Sequence, residues 1–165
     1  MKLTQLMSDL VKRNGSDLHL TGNSLPFFRV QGQIMPADSE IFSSQELKDQ
    51  LTKILADFYR IEKKYEKAIN IYSSLIQQDH SDSWFIIYLR GICYERSGNW
   101  QKAEIDFLKS LEIKSNSPNV LNYLAYGWIE RNQKIQQSFE MLTKAYEANP
   151  NSYYILDSLA WAHYK

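Results

Sequence analysis

The sequence predicts a mainly α protein: an α-solenoid of about three and a half helix-turn-helix units over residues 44–165, preceded by a small α/β segment over residues 1–43. Three observations carry this expectation. Gly15, Gly22, Gly32, Pro26 and Pro36 all fall early in the chain, where they punctuate short runs of β-forming residues. From Ser44 onward apolar residues recur at helical spacing. Small residues then return every 34 or 35 positions, the mark of stacked repeats.

Taken in order, Leu3, Leu6, Met7, Leu10 and Val11 lie on one helical face, with Thr4 as an N-cap and Asn14-Gly15 as the stop. Residues 17–21 read as a strand. Phe27-Phe28-Arg29-Val30 and Ile34-Met35 flank Gln31-Gly32-Gln33, which suits a hairpin turning on the glycine. Ser43-Ser44-Gln45-Glu46 is a capping-box pattern, and Leu47, Leu51, Ile54, Leu55 and Phe58 give the following helix an apolar stripe over residues 44–62.

The repeat then sets the register. Ala56, Gly91, Ala125 and Ala160 are spaced by 35, 34 and 35, and three residues after each stands a ring, at Tyr59, Tyr94, Trp128 and His163. A second small series, Ala68, Ala103 and Ser138, is spaced by 35 and followed four residues later by Tyr72, Phe107 and Leu142. Two helices per unit follow, with small residues admitting close approach and large ones filling the gap to the next helix.

These residues resemble the tetratricopeptide (TPR) repeat over residues 49–165. Leu55-Ala56, Tyr59, Tyr65, Ala68 and Tyr72 carry the first unit, Gly91, Tyr94, Gly98, Trp100, Ala103 and Phe107 the second, and Leu124-Ala125, Trp128, Ala145 and Pro150 the third. Leu159-Ala160 opens a fourth that has only its first helix. Arg90 departs from the family by standing where a large apolar residue is usual, and Ser138 by replacing an alanine.

A second resemblance covers residues 1–50. Gly15-Ser16-Asp17-Leu18-His19-Leu20, Leu25-Pro26 and Arg29-Val30-Gln31-Gly32-Gln33-Ile34 look like the start of the N-terminal domain of type IV pilus retraction ATPases. It stops about halfway through that domain. No Gly-x-x-x-x-Gly-Lys-Ser/Thr occurs, so no phosphate-wrapping loop is present and the ATPase activity is not carried over. Nor does so short a segment supply enough strands to stabilise itself, so it is expected to lean on the helix that begins at Ser44.

Composition narrows the function. The chain has 165 residues, 19 Lys plus Arg and 19 Asp plus Glu, so it carries no net charge and lacks the field that draws proteins to nucleic acid. A single cysteine, Cys93, excludes an intrachain disulfide and a four-cysteine zinc site. Gln5, Ser8, Asp9, Lys12 and Arg13 interrupt the N-terminus as a secretory signal would not be interrupted, and no stretch approaches a membrane span, so a cytoplasmic location is expected. The last residues end in a helical pattern without a cap, which suggests a fragment and leaves that helix open to self-association.

No catalytic constellation, metal site or cofactor site is expected. His19 reads as an ordinary strand residue, His163 as a packing ring, His80 as a turn residue in Asp79-His80-Ser81-Asp82, and Cys93 as a buried, inert thiol. Lys63, Lys64 and Lys67 form a basic cluster compensated by Glu62 and Glu66. The TPR resemblance implies instead a groove lined by first-helix residues outside the packing positions: Lys53, Asp57 and Arg60; Tyr88, Ile92 and Glu95; Asn122, Tyr126 and Ile129; Asp157, Trp161 and Tyr164. The expected function is a non-enzymatic interaction module holding a peptide or partner helix. Asp57 stands where the carboxylate clamp of chaperone-binding relatives wants an asparagine, which disfavours that variant. The alternative is a regulatory or vestigial piece of a pilus motor that docks through the αβ segment.

Overall fold

The computed structural model describes residues 3–37, 41–78 and 83–165. The described elements are α1 (Leu3–Lys12), β1 (Gly15–His19), β2 (Phe27–Val30), β3 (Gln33–Pro36), α2 (Ser44–Ile61), α3 (Tyr65–Gln77), α4 (Trp84–Arg96), α5 (Trp100–Ile113), α6 (Pro118–Glu130), α7 (Ile135–Ala148) and α8 (Tyr153–Tyr164). They form two compact units, Met1–Leu55 and Ala56–Lys165. The division falls inside α2, whereas the sequence changes character near residue 44. The reason is packing: Leu47 and Ile54, on the first half of α2, belong to the core of the first unit.

That core gathers Leu3, Leu6, Phe28, Ala37, Phe42 and Leu47. Helix α1 begins at Leu3, so Thr4 lies inside it and is not its cap. The Leu3 N–H donates instead to Gln50 Oε1 of α2 at 2.6 Å, which satisfies one of the donors a helix N-terminus leaves open. The capping box forms as expected: Ser43 N–H donates to Glu46 Oε2 at 2.8 Å and Glu46 N–H to Ser43 Oγ at 3.1 Å.

The sheet runs β1-β2-β3, antiparallel throughout. Strand β1 starts two residues before the expected 17–21 and ends at His19, because Gly15 pairs with Val30 across an irregularity before Asp17. The β2–β3 loop is Gln31-Gly32, both at positive φ (51° and 80°), as a two-residue type I′ turn requires. Every residue of β3 is exposed, Ile34 at 63%. An open edge over so small a core predicts that amide hydrogens of residues 17–36 exchange before those of residues 94–107; equal protection in the two stretches would contradict it.

In the second unit the small residues do what the repeat expects. Ala56, Ala68, Ala103 and Ala125 are fully buried, as are Tyr72, Phe107 and Leu142, and Trp128 is 1% exposed. Ala160 differs: it is exposed, since no helix among the described residues packs over it. Arg90, in a slot expected to be apolar, is tied down by charge. Its Nε and Nη2 donate to the two carboxylate oxygens of Asp106 at 2.8 and 2.7 Å, and Nη1 donates to Ser73 Oγ at 3.1 Å.

The turns closing the first helix of each unit repeat in register. Lys63, Gly98 and Asn132 have φ of 58°, 84° and 53°. After each, the next N–H reaches back to the carbonyl of Tyr59, Tyr94 or Trp128, while its own N–H bonds Arg60, Glu95 or Ile129. This is the Schellman geometry, and the same ring that fills the core supplies the accepting carbonyl. Gly127 serves a different need. A Cβ there would run into the six-membered ring of Trp100, so its bare backbone lets the indole come close against α6.

Candidate functional site

Helices α4, α6 and α8 are the first helices of their units, and they line three adjoining cavities of about 480, 470 and 520 Å³. Tyr126 of α6 borders all three and is 40% exposed. Tyr88, Asn122 and Asp157 border the second; Asp157, Trp161 and Tyr164 the third; Glu95 the first. The Trp161 indole N–H donates to Glu130 Oε1 at 2.7 Å, and its ring stacks on Tyr164 at 5.2 Å and 20°.

The other expected groove residues lie elsewhere. Ile92 is 8% exposed and packs in the main core, and Ile129 is fully buried with Ala125, Leu142 and Ala162. Tyr88 offers only an edge to the cavity: it is 6% exposed and meets Tyr123 at 5.6 Å, nearly perpendicular. Asp57 accepts from the Tyr72 hydroxyl at 2.6 Å, and Arg60 stands 3.7 Å from the same carboxylate, half-buried. Neither borders the three cavities. Lys53 belongs to the first unit and is partly buried on α2.

The sequence register missed Arg96, Tyr123, Glu130 and Tyr154, all of which border the cavities. The helix pitch explains it. Stepping three residues from Tyr126 reaches Ile129, which has already rotated toward α7; stepping four reaches Glu130, which keeps to the open face. Asn119, Tyr123 and Gly127 form a parallel row at the same four-residue spacing.

The electrostatics of the face are acidic near Tyr126. Its hydroxyl is held above the ordinary tyrosine range by partial burial and then by the charges of Glu130, Asp157 and Glu95. Burial likewise pushes the Tyr88 hydroxyl up. Asn122 Oδ1 is buried without a hydrogen-bond partner among the described residues, whereas Glu95 Oε2, also buried, is paired with Arg96 Nε at 3.3 Å. An unpartnered acceptor of this kind favours a ligand that brings a donor.

Elsewhere the chemistry is plain. Cys93 is fully buried and burial raises its thiol to about 11, so it is protonated at neutral pH. His19 is exposed beside Phe27, and His163 meets Phe139 edge-on at 4.7 Å. His80 lies outside the described residues. Lys67 rests over the Tyr59 ring at 5.4 Å, and Lys64 pairs with Glu62 at 3.8 Å. Among the described residues no group of three or more His, Cys, Asp or Glu is placed to hold a metal, and no helix is long and apolar enough to cross a membrane.

Comparison with known proteins places this architecture. No protein-family model matches the chain. A TPR repeat-containing protein of Pseudomonas aeruginosa is 26% identical over 80 residues, which is 48% of this chain and 14% of that protein's length. Three solved structures are similar in fold. The SycD type III secretion chaperone of Yersinia enterocolitica, in complex with a peptide of the translocator YopD, gives a TM-score of 0.63 at 18% identity, over 74% of this chain and 95% of that one. The Sgt2 TPR domain of Aspergillus fumigatus gives 0.64 at 18% identity, over 71% and 78%. The second TPR domain of human RPAP3, in complex with an HSP70 peptide, gives 0.63 at 15% identity, over 72% and 98%. The chain is therefore a TPR-type helical solenoid with a small three-stranded sheet at its N-terminal side.

Proposed function

We propose that the chain is a non-enzymatic interaction module that holds a peptide or partner helix against the face formed by α4, α6 and α8. The observation that carries this reading is Tyr126, a large ring at the meeting point of three cavities and outside every core cluster. Exposed rings in such settings are typical interface anchors, and the unpartnered Asn122 acceptor one turn away favours a chain with N–H groups to offer. Peptide-bound SycD and RPAP3 domains support the same reading. Zero net charge points to protein and not to nucleic acid as the partner.

Tyr126→Ala is expected to weaken partner binding by about 1–3 kcal/mol while leaving the thermal midpoint nearly unchanged. Isothermal titration with a partner captured by the whole chain, beside thermal melts, checks both halves. A large loss of stability with unchanged binding per folded molecule would make Tyr126 a core residue.

Helix α8 is the basis for self-association as a second property. Leu156 is 49% exposed and Ala160 is bare, at the register positions where Leu121 and Ala125 are buried. Sedimentation equilibrium that stays monomeric at rising concentration would exclude it. The pilus-motor alternative rests on the sequence resemblance of residues 1–50 alone, and it assigns docking to that segment in a cytoplasmic setting.

A further inference from the structure

We propose that the cavity between α6 and α8 is a subsite for a basic side chain, so that the groove takes a peptide segment presenting Lys or Arg at that point. This rests on the groove reading above. The cavity, about 520 Å³, is bordered by three rings, Tyr126, Trp161 and Tyr164, two carboxylates, Glu130 and Asp157, and the small Ala160. No Lys or Arg borders it.

The two carboxylates are differently occupied. Glu130 receives the Trp161 N–H through one oxygen, which fixes both groups and leaves the other oxygen available. Asp157 makes no hydrogen bond or ion pair with the described residues. The arginines of the neighbouring cavities are committed: Arg131 donates to the Gly127 carbonyl at 2.8 Å with its guanidinium 4.2 Å from the Trp100 ring, and Arg96 Nε lies 3.3 Å from Glu95 Oε2. Neither forms an ion pair with Glu130 or Asp157 among the described residues. The negative charge is felt at Tyr126, whose ionisation it opposes after burial.

Stacked rings beside carboxylates suit a cation on two counts. The ring faces attract it through their quadrupoles, and the carboxylates bond it directly. Lys165 already demonstrates the first, with its ammonium 5.2 Å from the Trp161 centroid. An acidic side chain would meet Asp157 and Glu130 as like charges, and an apolar one would strip their water without replacing it.

The test uses the whole chain and four fluorescein-labelled peptides on one Leu-, Tyr- and Ser-containing scaffold, with Lys, Arg, Gln or Glu at two variable positions. Fluorescence anisotropy should show Lys and Arg peptides binding about tenfold tighter than the Gln peptide, with the Glu peptide weaker still. Added salt should narrow the gap. In the double variant Asp157→Asn with Glu130→Gln, which keeps an acceptor for Trp161, the ratio of Lys to Gln affinity should fall to near one. Equal affinities in the wild type, or a preference that survives the double variant, would overturn the subsite. If the Gln peptide still binds and is lost in Tyr126→Ala, the groove reading stands while the subsite falls. Binding of all four peptides that ignores Tyr126→Ala, or no binding of any, overturns both.

Discussion

Asp106→Ala is expected to cost about 3–5 kcal/mol of stability, read as the loss of unfolding free energy in urea. The carboxylate is nearly inaccessible, with its side chain 4% exposed, and it is the bidentate partner of Arg90, itself only 19% exposed. Removing it leaves an enclosed guanidinium with the Ser73 hydroxyl and the Tyr94 ring, 5.8 Å away, but no counterion among the described residues, and desolvating an uncompensated charge costs far more than the pair contributes. The double variant Arg90→Leu with Asp106→Leu should recover most of the loss, since apolar residues commonly replace a buried pair without penalty. A double variant as unstable as Asp106→Ala would mean that shape, and not charge, governs this contact between α4 and α5.

Trp128→Ala should lose about 3–5 kcal/mol by opening a cavity beneath α6. The ring is 1% exposed, its N–H donates to Glu104 Oε1 at 2.7 Å, and the Lys134 ammonium lies 4.0 Å from its centroid and 3.0 Å from the same carboxylate. A subtler variant, Trp128→Phe, isolates the hydrogen bond. Partial burial pulls Glu104 upward, but the bonds from Trp128 and Lys134, with the charges of Lys134 and Arg131, outweigh it and leave its pKa below the ordinary 4.5. A carboxylate lowered in the folded state contributes stability that is complete above its unfolded value and disappears as pH falls through the lowered one. Urea midpoints measured as pH falls below 4.5 should therefore decline in the wild type and decline less in Trp128→Phe. Parallel acid limbs would remove Trp128 from the account.

The solenoid was legible because its repeat depends on residue size, which a sequence displays directly. Ala56, Gly91 and Ala125 are small because a neighbouring helix presses on them, and Tyr59, Tyr94 and Trp128 are large because they fill the next gap. The Schellman turns were legible only at Gly98. Lys63 and Asn132 adopt the same left-handed backbone without advertising it, since the register of the helix ends, and not residue preference, imposes it there. Asp106 was missed as the partner of Arg90 because the two lie 16 residues apart on different helices. An arginine in an apolar slot was nevertheless the sign that a counterion had to exist. Of the residues that register assigned to the groove, Tyr88, Glu95, Asn122, Tyr126, Asp157, Trp161 and Tyr164 border the cavities, whereas Lys53, Asp57, Arg60, Ile92 and Ile129 do not, because burial changes within a single helical step.

The stacking of α8 has a mechanical consequence. This helix rests mainly on α7 and α6, and it carries Asp157, Ala160, Trp161 and Tyr164, four of the six residues that line the cavity it shares with Tyr126. Where α8 parts from α7 and α6 under load, as one tooth of a zipper does, the cavity would vanish while the rest of the stack stayed joined. A segment lying across both α6 and α8 would act as a strap, raising the force at which that seam opens. The helix that completes the cavity is thus also the one that a bound partner would hold in place.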